Sequence, residues 1–100
     1  MSEAYRYKFR QDMDLHEAES TLLLSVLAAE GLFGAARVRM DTGYAVDGSI
    51  RAIVVDASTD VGQAVCSIFT AFLQREFGGS AFGVRAVEAQ DGPIARECER

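Results

Sequence analysis

The sequence is poor in the residues that build disulfide frameworks and metal centres. It has two cysteines, one histidine, one proline and no tryptophan among its 100 residues. Cys66 falls within an apolar helical pattern and Cys98 within a polar stretch, so the two do not indicate a disulfide framework. Neither has another Cys or His nearby at metal-ligand spacing. We therefore expect no bound metal and no cofactor.

Long hydrophobic runs are also missing. The longest, from Leu22 to Ala29, is interrupted by Ser25 and falls far short of the ~20 apolar residues that span a bilayer. The first four residues lack the basic stretch and the following apolar stretch of a signal peptide. These absences lead us to expect a cytoplasmic protein with no membrane partner.

The chain has enough apolar material for one domain. Hydrophobic residues make up 49% of it, and a chain of this length can bury one core. The net charge of −5 argues against a surface that attracts nucleic acid everywhere, but it permits a local basic patch. We expect a single domain over residues 1–88 and a polar, flexible C-terminal tail over 89–100.

Aromatic and cationic residues alternate from Tyr5 to Arg10. Successive side chains of a β-strand point to opposite faces of the sheet. The three aromatic residues therefore face a core, and the three cations, Arg6, Lys8 and Arg10, face the other side.

A first helix is predicted from Asp14 to about Glu30, because apolar residues recur there at spacings of three and four. Asp14 is its N-cap, and Glu17 completes a capping box. Gly31 is the predicted C-cap. Four large apolar residues on or beyond this helix are expected to be buried, namely Leu23, Leu27, Leu32 and Phe33.

A hairpin is predicted to follow. Residues 36–46 alternate charged and apolar side chains, Asp47-Gly48 favours a two-residue type I′ turn, and residues 50–56 form the return strand. That turn fixes a register in which Arg39 lies opposite Asp56. The predicted pairs are Val46–Ser49, Tyr44–Arg51, Thr42–Ile53, Met40–Val55 and Arg39–Asp56.

A second helix and a last strand complete the prediction. The helix begins at an N-cap within residues 58–60 and ends at Gly78-Gly79, and the strand covers residues 81–87. The resulting order, β-α-β-β-α-β, resembles the ferredoxin-like (split βαβ) fold over residues 4–88. That resemblance implies an α+β sandwich whose four-stranded antiparallel sheet has the order 4-1-3-2, with two helices on one face.

No family of this fold supplies a matching motif. RNA-recognition motifs carry stacking aromatics on the open face of the sheet, where this chain is expected to carry cations. Metal chaperones of this fold need a CxxC after the first strand, and this chain has Gln11-Asp12-Met13-Asp14 there. Acylphosphatases need an Arg–Asn pair, and the sequence contains no Asn. The resemblance therefore says nothing about function.

Positive charge is concentrated on one side of the predicted sheet. The cations expected there are Arg6, Lys8, Arg10, Arg37, Arg39 and Arg85, and with Asp56 they form the candidate anion- or partner-binding set. Such a surface favours a second copy of the chain or an acidic protein segment. A face that is merely solvated, covered by the cationic stems, is the second interpretation. Nucleic acid is the third, because stacking aromatics are missing.

The sequence offers no catalytic motif. Its hydroxyl and thiol side chains have no base within sequence reach. His16 lies near Asp12, Asp14 and Glu17, but acidic residues are expected at a helix N-terminus without any metal.

We therefore predict a non-enzymatic interaction or assembly module. It would form a homodimer or bind an acidic partner through the basic face or through an edge strand at 37–44. The alternative is an enzyme or a domain that binds a phosphorylated ligand, with a site around Arg6, Lys8, Arg39 and Asp56.

Overall fold

The computed structural model describes residues 3–88, so the predicted flexible tail at 89–100 lies outside the described residues. The strands are β1 (Glu3–Phe9), β2 (Tyr44–Asp47), β3 (Ala52–Asp56) and β4 (Phe82–Glu88). The helices are α1 (Leu15–Phe33), α2 (Ala35–Asp41) and α3 (Asp60–Phe77). The strands form one antiparallel sheet in the order β2-β3-β1-β4. The predicted α+β class and the four-stranded antiparallel sheet are confirmed.

The alternation in β1 gives the sheet two different faces. Tyr7 and Phe9 are buried against the helices, and the ring of Tyr7 lies 4.7 Å from that of Phe69 between centroids. We call the opposite side the open face. Its residues, read from the strand registers, are Ala4, Arg6, Lys8, Ala45, Asp47, Ala52, Val54, Asp56, Gly83, Arg85 and Val87.

The core lies between the sheet and all three helices. Buried side chains from α1, α2 and α3 meet those of β1 and β3; they include Leu22, Val38, Ile53, Val65, Phe69 and Leu73. Burying each large apolar side chain contributes about 1.5–3 kcal/mol to the free energy of unfolding. The helices therefore hold the sheet from one side, and they set which residues remain on the open face.

The end of the first helix differs from the prediction. Asp14 is the N-cap as predicted, and its carboxylate accepts a hydrogen bond from the His16 amide. The helix continues past Gly31 to Phe33, because Gly34 supplies the positive φ of 87° that ends it. The amide of Gly34 donates to the carbonyl oxygen of Glu30.

Helix α2 occupies the stretch that was predicted as the first hairpin strand, so that prediction is wrong. Alanine, arginine and methionine are strong helix formers, and they fill most of residues 35–40. In the helix only Val38 is buried, and Met40 projects into solvent. The charged–apolar alternation was misleading because this two-turn helix buries one residue, Val38, and so shows little of a helical apolar period.

The hairpin register also differs from the prediction. Val46 lies opposite Ile53, and the strands are joined by a four-residue loop, residues 48–51, in place of a type I′ turn. The Asp47 carboxylate accepts hydrogen bonds from the amide and hydroxyl of Ser49, and Arg51 takes a positive φ of 54°. The shift from the predicted pairing is an even number of residues. Each side chain of the two observed strands, Tyr44–Asp47 and Ala52–Asp56, therefore keeps its predicted face.

Candidate interaction surfaces

Three of the predicted cations lie together on the open face. Arg6 in β1 lies directly opposite Arg85 in β4, and Lys8 follows Arg6 on the same face of β1. Lys8 and Arg85 are exposed, and Arg6 is half-buried. This cationic part of the open face covers the β1 and β4 side of the sheet.

The other predicted cations lie elsewhere. Arg10 follows the end of β1, where its guanidinium lies 3.2 Å from the carboxylate of Asp12. Both side chains are exposed, so this ion pair contributes about 1 kcal/mol at most.

Arg37 and Arg39 are on α2, not on the sheet. The guanidinium of Arg37 lies 3.6 Å from the Asp41 carboxylate, 3.8 Å from that of Asp60 and 5.0 Å from the ring centre of Phe33. The predicted cross-strand pair of Arg39 with Asp56 is wrong, because residue 39 is helical.

Asp56 ends β3 on the open face, opposite Ala4. Its carboxylate accepts a hydrogen bond of 2.9 Å from the Ser58 amide, which fixes the turn into α3. With Asp47 in β2, it makes the β2 and β3 side of the open face acidic. The open face therefore has a cationic side and an acidic side.

The outer face of α1 is apolar, although several of its leucines were predicted to be buried. We define the α1 outer face by its exposed residues, Ser20, Leu23, Leu24, Leu27, Ala28, Gly31 and Leu32. Leu24, Leu27 and Leu32 are 54%, 61% and 72% exposed. Within residues 20–32 only Glu30 carries a charge. The predicted burial of Leu23, Leu27 and Leu32 is wrong, whereas Phe33 packs against the core as expected.

A signal in the sequence does predict this exposed face. Leu22, Leu23 and Leu24 are consecutive, and each residue of an α-helix turns by about 100°. Three consecutive leucines therefore span about 200° of the helix, which is wider than one core-facing stripe. Leu22 is fully buried, and its two neighbours are about half exposed.

A cleft of about 510 Å³ separates α3 from β4. Tyr7, Cys66 and Thr70 lie in its wall. The Tyr7 hydroxyl donates to the carbonyl oxygen of Cys66 at 3.1 Å and lies 2.9 Å from the Thr70 hydroxyl. Burial raises the pKa of the Cys66 thiol to about 11, so the thiol stays protonated and unreactive at neutral pH.

The described residues that line the cleft include no Asp, Glu, His, Lys or Arg. They are Tyr5, Tyr7, Gln63, Cys66, Ser67, Thr70, Ala71, Gln74 and Val84. Residues 3–88 contain no group of three or more His, Cys, Asp or Glu side chains placed to hold a metal ion, and this includes the surroundings of His16. Over the same residues, no helix is both long and apolar enough to cross a bilayer.

Arg51 is a structural residue that the sequence did not reveal. Its guanidinium donates to the carbonyl oxygens of Arg10 and Met13, which ties the hairpin loop to the connection between β1 and α1. Its positive φ carries no signal in the sequence, because arginine rarely adopts it.

Comparison with protein-family models, with curated proteins and with solved structures finds no significant match to this chain.

Proposed function

We propose that this protein is a non-enzymatic assembly module that forms a homodimer through the α1 outer face. The observation that carries the proposal is the row of exposed leucines on that face, Leu23, Leu24, Leu27 and Leu32. Helices of globular proteins place charged and polar residues on their solvent side. Large exposed apolar patches mark sites of association.

A second copy of the same helix fits this surface. Ser20, Leu24, Leu27 and Gly31 are spaced four, three and four residues apart, which is the spacing of an antiparallel helix pair. Packing about a two-fold axis near residues 25 and 26 sets Leu24 against Leu27 of the other copy. It also sets Ser20 against Gly31, where the small residues permit close approach.

The charges at the two ends of α1 also favour an antiparallel pair. Glu17 and Glu19 lie in the first turns of α1, and α2 follows its C-terminus with Arg37 and Arg39. An antiparallel arrangement brings the acidic end of one copy near the arginines of the other. The centre of the surface contains no exposed charge that would repel its symmetry mate.

We further propose that the fold belongs to the ferredoxin-like group. Supporting this are the strand order, which reads 4-1-3-2 from the β4 edge, and the packing of α1 and α3 on one face of the sheet. Helix α2 is an addition in the connection between α1 and β2.

The test is sedimentation equilibrium on the wild type, on Leu24→Glu with Leu27→Glu, and on Arg6→Glu. We expect a wild-type dimer that becomes a monomer in the double leucine variant. Both leucines are already exposed in the monomer, so the substitutions leave the core intact. Circular dichroism and thermal unfolding check that the variant remains folded.

Arg6→Glu is the control because it changes charge on the open face only. If the dimer is lost in Arg6→Glu and kept in the leucine variant, the interface lies on the cationic part of the open face and not on the α1 outer face. The proposal of self-assembly is rejected if the wild type is still a monomer at a protein concentration of about 100 μM, which is about 100 times a micromolar dissociation constant.

A further inference from the structure

The outer edge of β4 pairs with no strand among residues 3–88. The amide of Arg10 donates to the carbonyl oxygen of Ala81, and this bond continues the register between β1 and β4. Every second residue of β4 after Ala81 therefore directs its backbone N–H and C=O groups towards β1. The residues between them direct these groups away from the sheet; they include Phe82, Val84 and Ala86. Such a row of free donors and acceptors can pair with a further strand.

The cleft between α3 and β4 runs beside this edge. Val84 lies opposite Tyr7, so its side chain is on the helix side of the sheet, and Ala86 shares that side. Both are exposed. On α3 the cleft is lined by one stripe of uncharged polar residues, Gln63, Ser67, Thr70 and Gln74.

The length of the cleft suits an extended segment. The stripe from Gln63 to Gln74 rises by about 16 Å along the helix axis. Five residues of a β-strand cover about the same distance. A strand added to β4 would therefore place two or three alternate side chains in the cleft.

The other side of the same edge is cationic. Arg85 is exposed on the open face, directly opposite Arg6, and Lys8 follows Arg6 on β1. Within residues 3–88, no carboxylate forms an ion pair with any of the three. Like charges directly opposite each other destabilise a sheet, so an acidic side chain beside Arg85 would stabilise this edge.

We propose that β4 binds an extended segment of a partner protein as a fifth, antiparallel strand of the sheet. Residues of the segment opposite Val84 and Ala86 lie in the cleft and are apolar. Residues between them lie beside Arg85 and are acidic. The ligand is therefore a segment in which acidic and apolar residues alternate, and antiparallel pairing is the more stable arrangement per residue.

A second copy of β4 is a poorer occupant of this edge. The open-face residues of β4 are Gly83, Arg85 and Val87, so a symmetric pair would bring cations to both sides of the contact and no acid. The inferred site also goes beyond the proposed dimer, because it uses no residue of the α1 outer face.

NMR-detected hydrogen exchange on the full-length wild type tests the site with a capped heptapeptide in which glutamate and valine alternate. We expect the amides of Val84 and Ala86 to exchange more slowly with peptide, because it supplies their missing acceptors. At about 1 mM peptide and a dissociation constant of about 100 μM, the exchange slows about tenfold. No slowing at 1 mM peptide would overturn the proposal.

Two methylated peptides test the strand pairing itself. Methylation of the valine amides removes the donors that face β4, so binding should be lost. Methylation of the glutamate amides, which face solvent, should preserve binding. The opposite result, or equal binding of the two peptides, would reject an antiparallel fifth strand.

Two protein variants test the charge contact. Arg85→Glu should weaken peptide binding by about tenfold or more. Arg39→Glu is the matched control, because Arg39 is an exposed arginine on α2, and it should bind as the wild type does. Thermal unfolding checks that both variants are folded. Equal binding by the two variants would overturn the acidic specificity, and slow exchange at Val84 and Ala86 before any peptide is added would show that the edge is already paired.

Discussion

Tyr7 of β1 lies against Cys66 of α3, and burial raises the pKa of both side chains above their ordinary values. The Tyr7 hydroxyl is held by the Cys66 carbonyl and the Thr70 hydroxyl. The native structure therefore favours a neutral phenol and a neutral thiol. Both groups oppose folding once the solvent is alkaline enough to ionise them in the unfolded chain.

We predict that the free energy of unfolding falls as the pH rises from about 8.5 towards 11. An unfolded cysteine loses its proton near pH 8.5, whereas the folded Cys66 keeps its proton up to about pH 11. The unfolded state then binds fewer protons, so stability decreases across this window and is unaffected by the thiol below it. Urea unfolding at a series of pH values measures the effect.

Cys66→Ala is the control for this alkaline effect. Its absolute stability is lower, but its free energy of unfolding should change less between pH 8.5 and 10. Above pH 10 the phenol of Tyr7 adds a loss of the same sign. An unchanged slope in Cys66→Ala would show that the alkaline loss has another source.

At the scale of single elements, α3 begins against the end of β3 at a point where only glycine fits. A Cβ on Gly62 would clash with the backbone oxygen of Asp56 and lie 3.2 Å from the Thr59 hydroxyl oxygen. Thr59 is the N-cap of α3, and its hydroxyl accepts the Gly62 amide at 2.9 Å. The close contact therefore lies between two backbone segments that cannot easily move apart.

We predict that Gly62→Ala lowers the free energy of unfolding by up to about 2 kcal/mol. Overpacking costs of order 1–3 kcal/mol and outweighs the gain of about 1 kcal/mol that alanine brings to a helix. Gly31→Ala is the matched control, since nothing lies within 4 Å of its added Cβ. Gly31→Ala should raise the free energy of unfolding by about 0.5–1 kcal/mol. This is measured by urea unfolding at a protein concentration below the dissociation constant of the proposed dimer. Equal effects at the two glycines would contradict this contact.

The elements differ in how far the sequence determined them. β1 and α3 were predictable because their apolar periods continue over a whole element and α3 has its own cap, Thr59. Helix α2 was not, because seven residues hold too little of a helical period to distinguish it from a strand. Its contacts through Arg37 are with Phe33 and Asp60, which belong to other elements.

The interaction surfaces were less predictable than the fold. Strand alternation placed Arg6 and Lys8 correctly, since the period of two alone decides the face. The exposure of Leu24 and Leu27 depends instead on how α1 is rotated over the sheet, which is a property of the packed molecule.

Across the whole molecule, the helices cover the sheet unevenly. On the helix side, Ile53 and Val55 of the central strand β3 are fully buried, whereas Val84 in the edge strand β4 is 42% exposed. Stability should therefore be highest at the centre of the sheet and lowest at the β4 edge.

We predict that the amides of Ile53 and Val55 exchange with solvent only on global unfolding, with opening free energies of about 5 kcal/mol or more. Alternate amides of β4 should exchange far faster, because one side of an edge strand has no partner strand. Hydrogen exchange followed by NMR measures both sets. Uniformly slow exchange along β4 would show that another strand pairs with that edge.

The position of β1 in the sheet has a consequence for the synthesis of the chain. Arg6 is paired with Val54 on one side and with Arg85 on the other, so β1 completes its pairing only after β4 has been made. About 80 further residues must be translated first, which takes about 4–16 s at 5–20 residues per second. Until β4 is made, the aromatic side chains of β1 lack the complete core that buries them, so slow translation prolongs their exposure to solvent.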